Sequence, residues 1–270
     1  MYTSTTTNQI KTVCLLLLMA FTAWGCKKDV KEEIKETPVI EKPKDVDQPK
    51  TSISINKVLF TNPAKVKLRV ENSTEIFDQI ITYFDAATKG STIYVSIYLF
   101  DYAPITAAII RTHVRGVNIH VIVDRSRDES IETNTEVIQR LQSTLTGNSS
   151  FTIVNSDVTG GSSGSINHHK FVLFSELEIK DQGIAKNVVM SSSSNWTASD
   201  MKKIQDAVFI SDQALYNAFL TNWNTMKTYA AGGMKNFNYQ VFQSADKNIQ
   251  AYFFPRLLNG VVDNGDTIIE

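Results

Sequence analysis

Between residues 91 and 124 the chain reads STIYVSIYLF, then a stretch opened by Pro104 and closed by Arg115-Gly116, then VNIHVIVD. No other part of the sequence constrains the fold as tightly. The two flanking runs are rich in β-branched and aromatic residues, which pack well on a pleated surface. Between them, Ile105, Ala108, Ile109 and Thr112 recur at the spacing of one helical face. Proline is tolerated in a first helical turn, and glycine ends a helix cleanly. A strand, a helix and a strand joined this closely form a βαβ unit, so the two strands run parallel in one sheet.

The alternation continues on both sides. SISINKVLF (52–60) reads as a strand. Asn72-Ser73-Thr74 offers capping side chains to a helix carrying Ile76, Phe77, Ile80, Ile81 and Phe84, which Lys89-Gly90 closes. Helical spacing returns at 135–145. FTIVN (151–155), KFVLFS (170–175), NVVMSS (187–192) and DAVFIS (206–211) read as further strands. A helix follows over 213–227, with Leu215, Phe219 and Trp223 at i, i+4 and i+8. The expected fold class is α/β, a mixed, largely parallel sheet flanked by helices. With 42 % apolar and 20 % charged residues, the chain can bury a core of that size. Its 27 basic and 28 acidic residues leave a formal charge of -1, which argues against coating nucleic acid by bulk charge.

The amino terminus reads as an address. After Lys11 comes the apolar stretch TVCLLLLMAFTAWG, then Cys26 and Lys27-Lys28-Asp29. It is shorter than the roughly 18 residues of a spanning helix. A charged n-region, a short h-region and a small residue before the cut describe a secretory signal. With Gly25 before Cys26, it resembles a bacterial lipoprotein signal, and the Lys28-Asp29 pair resembles a surface-export tag of Bacteroidetes-like bacteria. The resemblance implies that residues 1–26 are a signal, that Cys26 is lipidated, and that the protein is anchored to a membrane. Residues 27–52 balance lysines with acids, hold three of the six prolines and have no apolar face, which reads as a disordered tether. The folded lobe is expected over 53–231.

The chemistry concentrates after the Gly/Ser-rich loop at 156–166. His168 and Lys170 stand two apart at the mouth of a strand, so both side chains point to one face. An imidazole beside an ammonium suits attack on a phosphodiester: lysine answers the phosphate charge, and histidine serves as nucleophile or proton carrier. Ser193 and Asn195, also two apart at the end of the next strand, can add neutral hydrogen-bond donors to the same oxygens. This chemistry needs no metal or other cofactor. His169 falls on the opposite strand face and reads as supporting structure; His113 and His120 read as structural.

These residues resemble the phospholipase D superfamily, whose motif is His-x-Lys, four residues, Asp, then Gly-Ser-x-Asn. His168, Lys170, Ser193 and Asn195 match. Ser175 stands at the Asp position and Ser192 at the Gly position. Arg115-Gly116-Val117 with Asp124, and Ile204–Ile210 with Asp206, are similar to the flanks of the motif in that family. The resemblance implies that His168 attacks phosphorus to form a phosphohistidine, and that a second histidine protonates the leaving alcohol. It also implies that Lys170 and Asn195 hold the phosphoryl oxygens and that Asp206 orients an imidazole.

Such a site needs two His-Lys sets, and this chain carries one. Either two copies pair, or residues 232–270 begin a second lobe; the weak echo of the opening in AYFFP (251–255) and beyond favours the latter. The expected function is a membrane-anchored phosphodiesterase acting on phospholipid head groups. A nuclease of the same fold and a degenerate phosphate-binding lobe are the alternatives.

Overall fold

Strand alternation and helical spacing sort the buried side chains into two clusters on opposite faces of one sheet. The computed structural model describes residues 55–68, 71–124, 134–154, 167–229, 242–243 and 248–254, with the backbone alone at 68, 229, 256–258 and 261–263. The signal, Cys26, the tether and the 156–166 loop lie outside the described residues.

The strands are β1 (Lys57–Phe60), β2 (Thr92–Ile97), β3 (Asn118–Asp124), β4 (Ser150–Val154), β5 (Lys170–Ile179), β6 (Gly183–Ser192) and β7 (Asp206–Ser211). They form one sheet in the order β1-β7-β6-β5-β2-β3-β4. The βαβ expectation holds: β2, β3 and β4 pair in parallel. The other pairings are antiparallel. Because β5 and β7 each reverse direction, β1, β2, β3, β4 and β6 all point one way. The sheet is thus mixed and largely parallel in strand direction, as expected.

The helices are α1 (Pro63–Leu68), α2 (Glu75–Ala86), α3 (Ala103–Val114), α4 (Thr135–Thr144) and α5 (Gln213–Tyr229). Side chains of α2, α3 and α4, among them Phe77, Phe84, Ile105, Ile109 and Leu141, bury against Val95, Val121, Val172 and Met190 on one sheet face. On the other face, Leu215, Tyr216, Trp223 and Met226 of α5 cover Ile122, Phe171, Leu173 and Val189. Each large side chain buried this way contributes about 1.5–3 kcal/mol. Trp223 also donates from Nε1 to the Val95 carbonyl at 2.9 Å, tying α5 to β2. Among the described residues no helix is long and apolar enough to cross a membrane.

One expectation differs from the structure. Thr74 precedes α2, but its hydroxyl donates to Asp78 Oδ2 at 2.8 Å rather than capping the backbone. In the tail, β8 (Phe242–Gln243) pairs with β9 (Gln250–Ala251), and β10 (Arg256–Leu258) with β11 (Val261–Asp263). Phe242, Ile249 and Ala251 pack on the α5 cluster, and Phe253 meets Phe219 edge-to-face with centroids 4.9 Å apart. The expected second lobe at 232–270 otherwise lies largely outside the described residues.

Candidate active site

The parallel strands deliver their carboxyl ends, and antiparallel β5 and β7 their amino ends, to one end of the sheet. All the candidate residues therefore come from neighbouring strand mouths. Register fixes this: Lys170 pairs with Ile97, and Phe171 with Ser191.

Two hydrogen-bonded seams hold the segments together. Asn167, fully buried, donates its backbone N–H to Asp124 Oδ2 at 2.7 Å, and its carboxamide exchanges hydrogen bonds with the Ser96 hydroxyl at 3.0 and 3.2 Å. This pins the residue before His168 to β2 and β3. Beyond β2, Trp196 N–H donates to the Leu99 carbonyl at 2.9 Å, while Asp101 and Tyr102 donate to the Trp196 carbonyl at 3.0 Å. The Trp196 ring, fully buried, meets Phe100 and Phe84 edge-to-face. Asn195 is thereby held beside the β2 exit.

Tyr98 is the hub. The His168 ring lies with its centroid 4.8 Å from the Tyr98 ring, and Lys170 Nζ lies 5.4 Å from the Tyr98 centroid. Lys170 is 6 % exposed and donates to the His168 carbonyl at 2.7 Å. Burial lowers its pKa to about 8, with Asp200 pulling up and Lys203 pushing down. His168 is exposed. Desolvation, then Lys170, lowers its pKa, so at neutral pH it carries the free lone pair that a nucleophile needs.

Asn195 is buried, and its Nδ2 donates to Asp200 Oδ1 at 3.4 Å. A carboxylate only accepts, so the nitrogen must face it, which fixes the orientation of the amide. Asn195 Oδ1 is buried without a partner. Being an acceptor, that oxygen cannot itself bind a phosphoryl oxygen, which leaves the second Nδ2 hydrogen as the group for that role.

Ser193 and Asp206 depart from expectation. Ser193 Oγ donates to Asp206 Oδ1 at 2.6 Å, and Asp206 N–H donates to Ser193 Oγ at 3.0 Å. Asp206 alternates with the buried Ala207 and Phe209, so this pair points to the α5 face, away from the face of Lys170. The Asp206 carboxylate thus holds a serine hydroxyl, with no imidazole among its partners in the described residues. Ser175, at the expected acid position, accepts from the Thr92 N–H at 2.8 Å and closes the β2–β5 edge.

His169 packs edge-to-face on Phe171 on the α5 side, and burial, then Lys170 and His168, lower its pKa. His120 stacks on Tyr94, and His113 meets the Ser149 hydroxyl. Both belong to the opposite end of the sheet, where α3 ends and β3 begins. Among the described residues no three His, Cys, Asp or Glu side chains gather as a metal site. Tyr98, Asn167, Asp200 and the clamp Asn134 have no individual signal in the sequence; each is identified by what it touches.

Comparison with known proteins identifies a family. The family profile described as "Cardiolipin synthase, PLD-like domain" matches residues 80–226, more than half of the chain. A phospholipase D of Rickettsia conorii is 27 % identical over 137 residues, 50 % of this chain and 57 % of that one. The chain thus spans less than two thirds of that relative. Two solved structures are also similar. NucT from Helicobacter pylori has a TM-score of 0.45 at 15 % identity, over 64 % of this chain and 96 % of that one. Nuc from Salmonella typhimurium, a phospholipase D family member, has a TM-score of 0.44 at 17 % identity, over 64 % and 95 %.

Proposed function

Because the chain belongs to the phospholipase D superfamily through a PLD-like domain that spans most of its sheet, we propose that it is a phosphodiesterase acting on phospholipid head groups by hydrolysis or transfer. The observation that carries the reading is that His168 and Lys170 meet on the Tyr98 ring at one end of the sheet, with Asn195 held beside the β2 exit by the Trp196 seam. The neutral imidazole of His168 attacks phosphorus, and an N–P bond forms as the P–O bond to the leaving alcohol breaks. The Lys170 ammonium and the remaining Nδ2 hydrogen of Asn195 hold the phosphoryl oxygens as charge builds on them. Water or a second alcohol then takes the phosphatidyl group from His168.

The leaving alkoxide needs a proton. Among the described residues the other imidazoles face elsewhere, so a second copy of the chain, related by a two-fold axis, supplies it in this reading. Lipidation of Cys26 would hold the enzyme at the membrane where such substrates lie. The proximity to membrane lipid and the near-neutral charge both favour lipid over duplex nucleic acid.

The test pairs two substrates. Purified protein is given phosphatidylethanolamine and phosphatidylcholine vesicles, with release of the head-group amine measured, and supercoiled plasmid, with nicking measured. The proposal requires head-group release that His168→Ala abolishes. Plasmid nicking without head-group release transfers the site to nucleic acid, and neither activity leaves a phosphate-binding lobe.

A further inference from the structure

Two carboxylates are buried among the described residues, Asp124 and Asp200. Asp124 is occupied by the backbone of Asn167. Asp200 sits in the 3-10 turn Asp200–Lys202 between β6 and β7 and is 1 % exposed. Its Oδ1 accepts from Asn195 Nδ2 at 3.4 Å and from Gln205 Nε2 at 2.9 Å. Its Oδ2 accepts from the hydroxyls of Thr197 and Ser199 and lies 3.3 Å from Lys203 Nζ. The Lys203 ammonium is 54 % exposed, so solvent weakens that ion pair. Both of its oxygens are thus hydrogen-bonded, as a buried carboxyl requires.

Its position is the point of interest. The motif acid is replaced by Ser175, and Asp206 faces the α5 side with Ser193. Lys170 lies one register step from the Phe171–Ser191 pair, opposite the strand end that leads through Ser194 into Asn195. Asp200 is thus hydrogen-bonded to Asn195, and its charge acts on Lys170 across the same strand ends. We infer that Asp200 is the positioning acid of this site: it fixes the Asn195 carboxamide with one hydrogen directed outward, and it keeps the buried Lys170 ammonium charged. The electrostatic pull of Asp200 on Lys170 noted above agrees in sign. The inference rests on the proposed phosphodiesterase reading for its catalytic consequence, though not for its electrostatic one.

The test reads the two separately. Lysine labelled at 13Cε is titrated in the full chain, with Lys170 assigned through Lys170→Arg. Asp200→Asn should lower the Lys170 midpoint by about one pH unit, since a neighbouring opposite charge moves a pKa by about 1–3 units. Asp200→Glu should restore most of it. In the parent protein, the 13Cγ signal of Asp200 should show a step at the Lys170 midpoint, a measurement that needs no variant to fold. With bis(4-nitrophenyl) phosphate, the alkaline limb of kcat/KM in Asp200→Asn should move down by the same amount. An unmoved Lys170 midpoint, or no step at Asp200 in the parent, overturns the inference. Moved midpoints in a protein without activity would uphold the electrostatic role and reject the phosphodiesterase reading alone.

Discussion

Asn134 is 5 % exposed and bridges the exits of two parallel strands. Its Oδ1 accepts from Phe100 N–H at 2.8 Å; its Nδ2 donates to the Tyr98 carbonyl at 2.9 Å and to the Asp124 carbonyl at 2.7 Å. Asn134→Ala strands all three backbone groups. Each unsatisfied buried group costs about 1–3 kcal/mol, and water reaching the outermost trims the sum to about 3–5 kcal/mol. In a domain of this size each kcal/mol is worth about 2–4 °C, so Tm should fall by about 10–15 °C. The assay is calorimetry with urea unfolding as a check, against Gln139→Ala, an exposed α4 position that should stay within about 0.5 kcal/mol. A loss below about 1 kcal/mol for Asn134→Ala would refute the reasoning. It would mean that β2 and β3 hold their exits without the carboxamide.

Lys170→Met should inactivate the site yet stabilise the fold at pH 7. The folded-state pKa of Lys170 is about 8 against 10.5 for the free side chain, so the parent gains stability as pH rises from about 8 to about 10.5. Urea midpoints across that window should climb in the parent and stay flatter in the variant. Asp124 has the opposite slope: burial raises its pKa to about 6 from 3.8, so folding favours the protonated form and stability falls as pH rises from about 4 to about 6. Asp124→Asn keeps an acceptor for Asn167 N–H and should flatten that fall, measured by the same titration of midpoints. Trp223→Phe removes the Nε1 donor to the Val95 carbonyl and should cost about 1 kcal/mol in urea unfolding.

The elements from β2 to α5 were legible because each has a strong period and a clear boundary. Pro104 sits in the first turn of α3, Gly116 takes a φ of 91° after it, and β5 and β6 pair in the register their apolar runs suggest. The spacing of two puts His168 and Lys170 on one face at a strand mouth, whereas Asn195 lies beyond the end of β6 and takes its place from the Trp196 seam, not from its spacing to Ser193. The role of Asp206 was expected only from the family resemblance; among the described residues strand parity turns it to the α5 side, where it holds the Ser193 hydroxyl. Asp200, Asn134 and Asn167 lie outside regular strands and α-helices or at their borders. Their roles depend on backbone seams between segments distant in sequence, such as Trp196 with Leu99, which no periodicity encodes.

The central claim is that the His168 imidazole becomes covalently bonded to phosphorus. The most direct measurement is rapid alkaline quenching of the protein during turnover of a phosphodiester, followed by peptide mass spectrometry of the segment holding residues 167–170. The account predicts a phosphoryl adduct on His168 that is stable to base, lost in acid, and absent from His168→Ala. Turnover that proceeds at full rate with no adduct, or with the adduct on another residue, contradicts it.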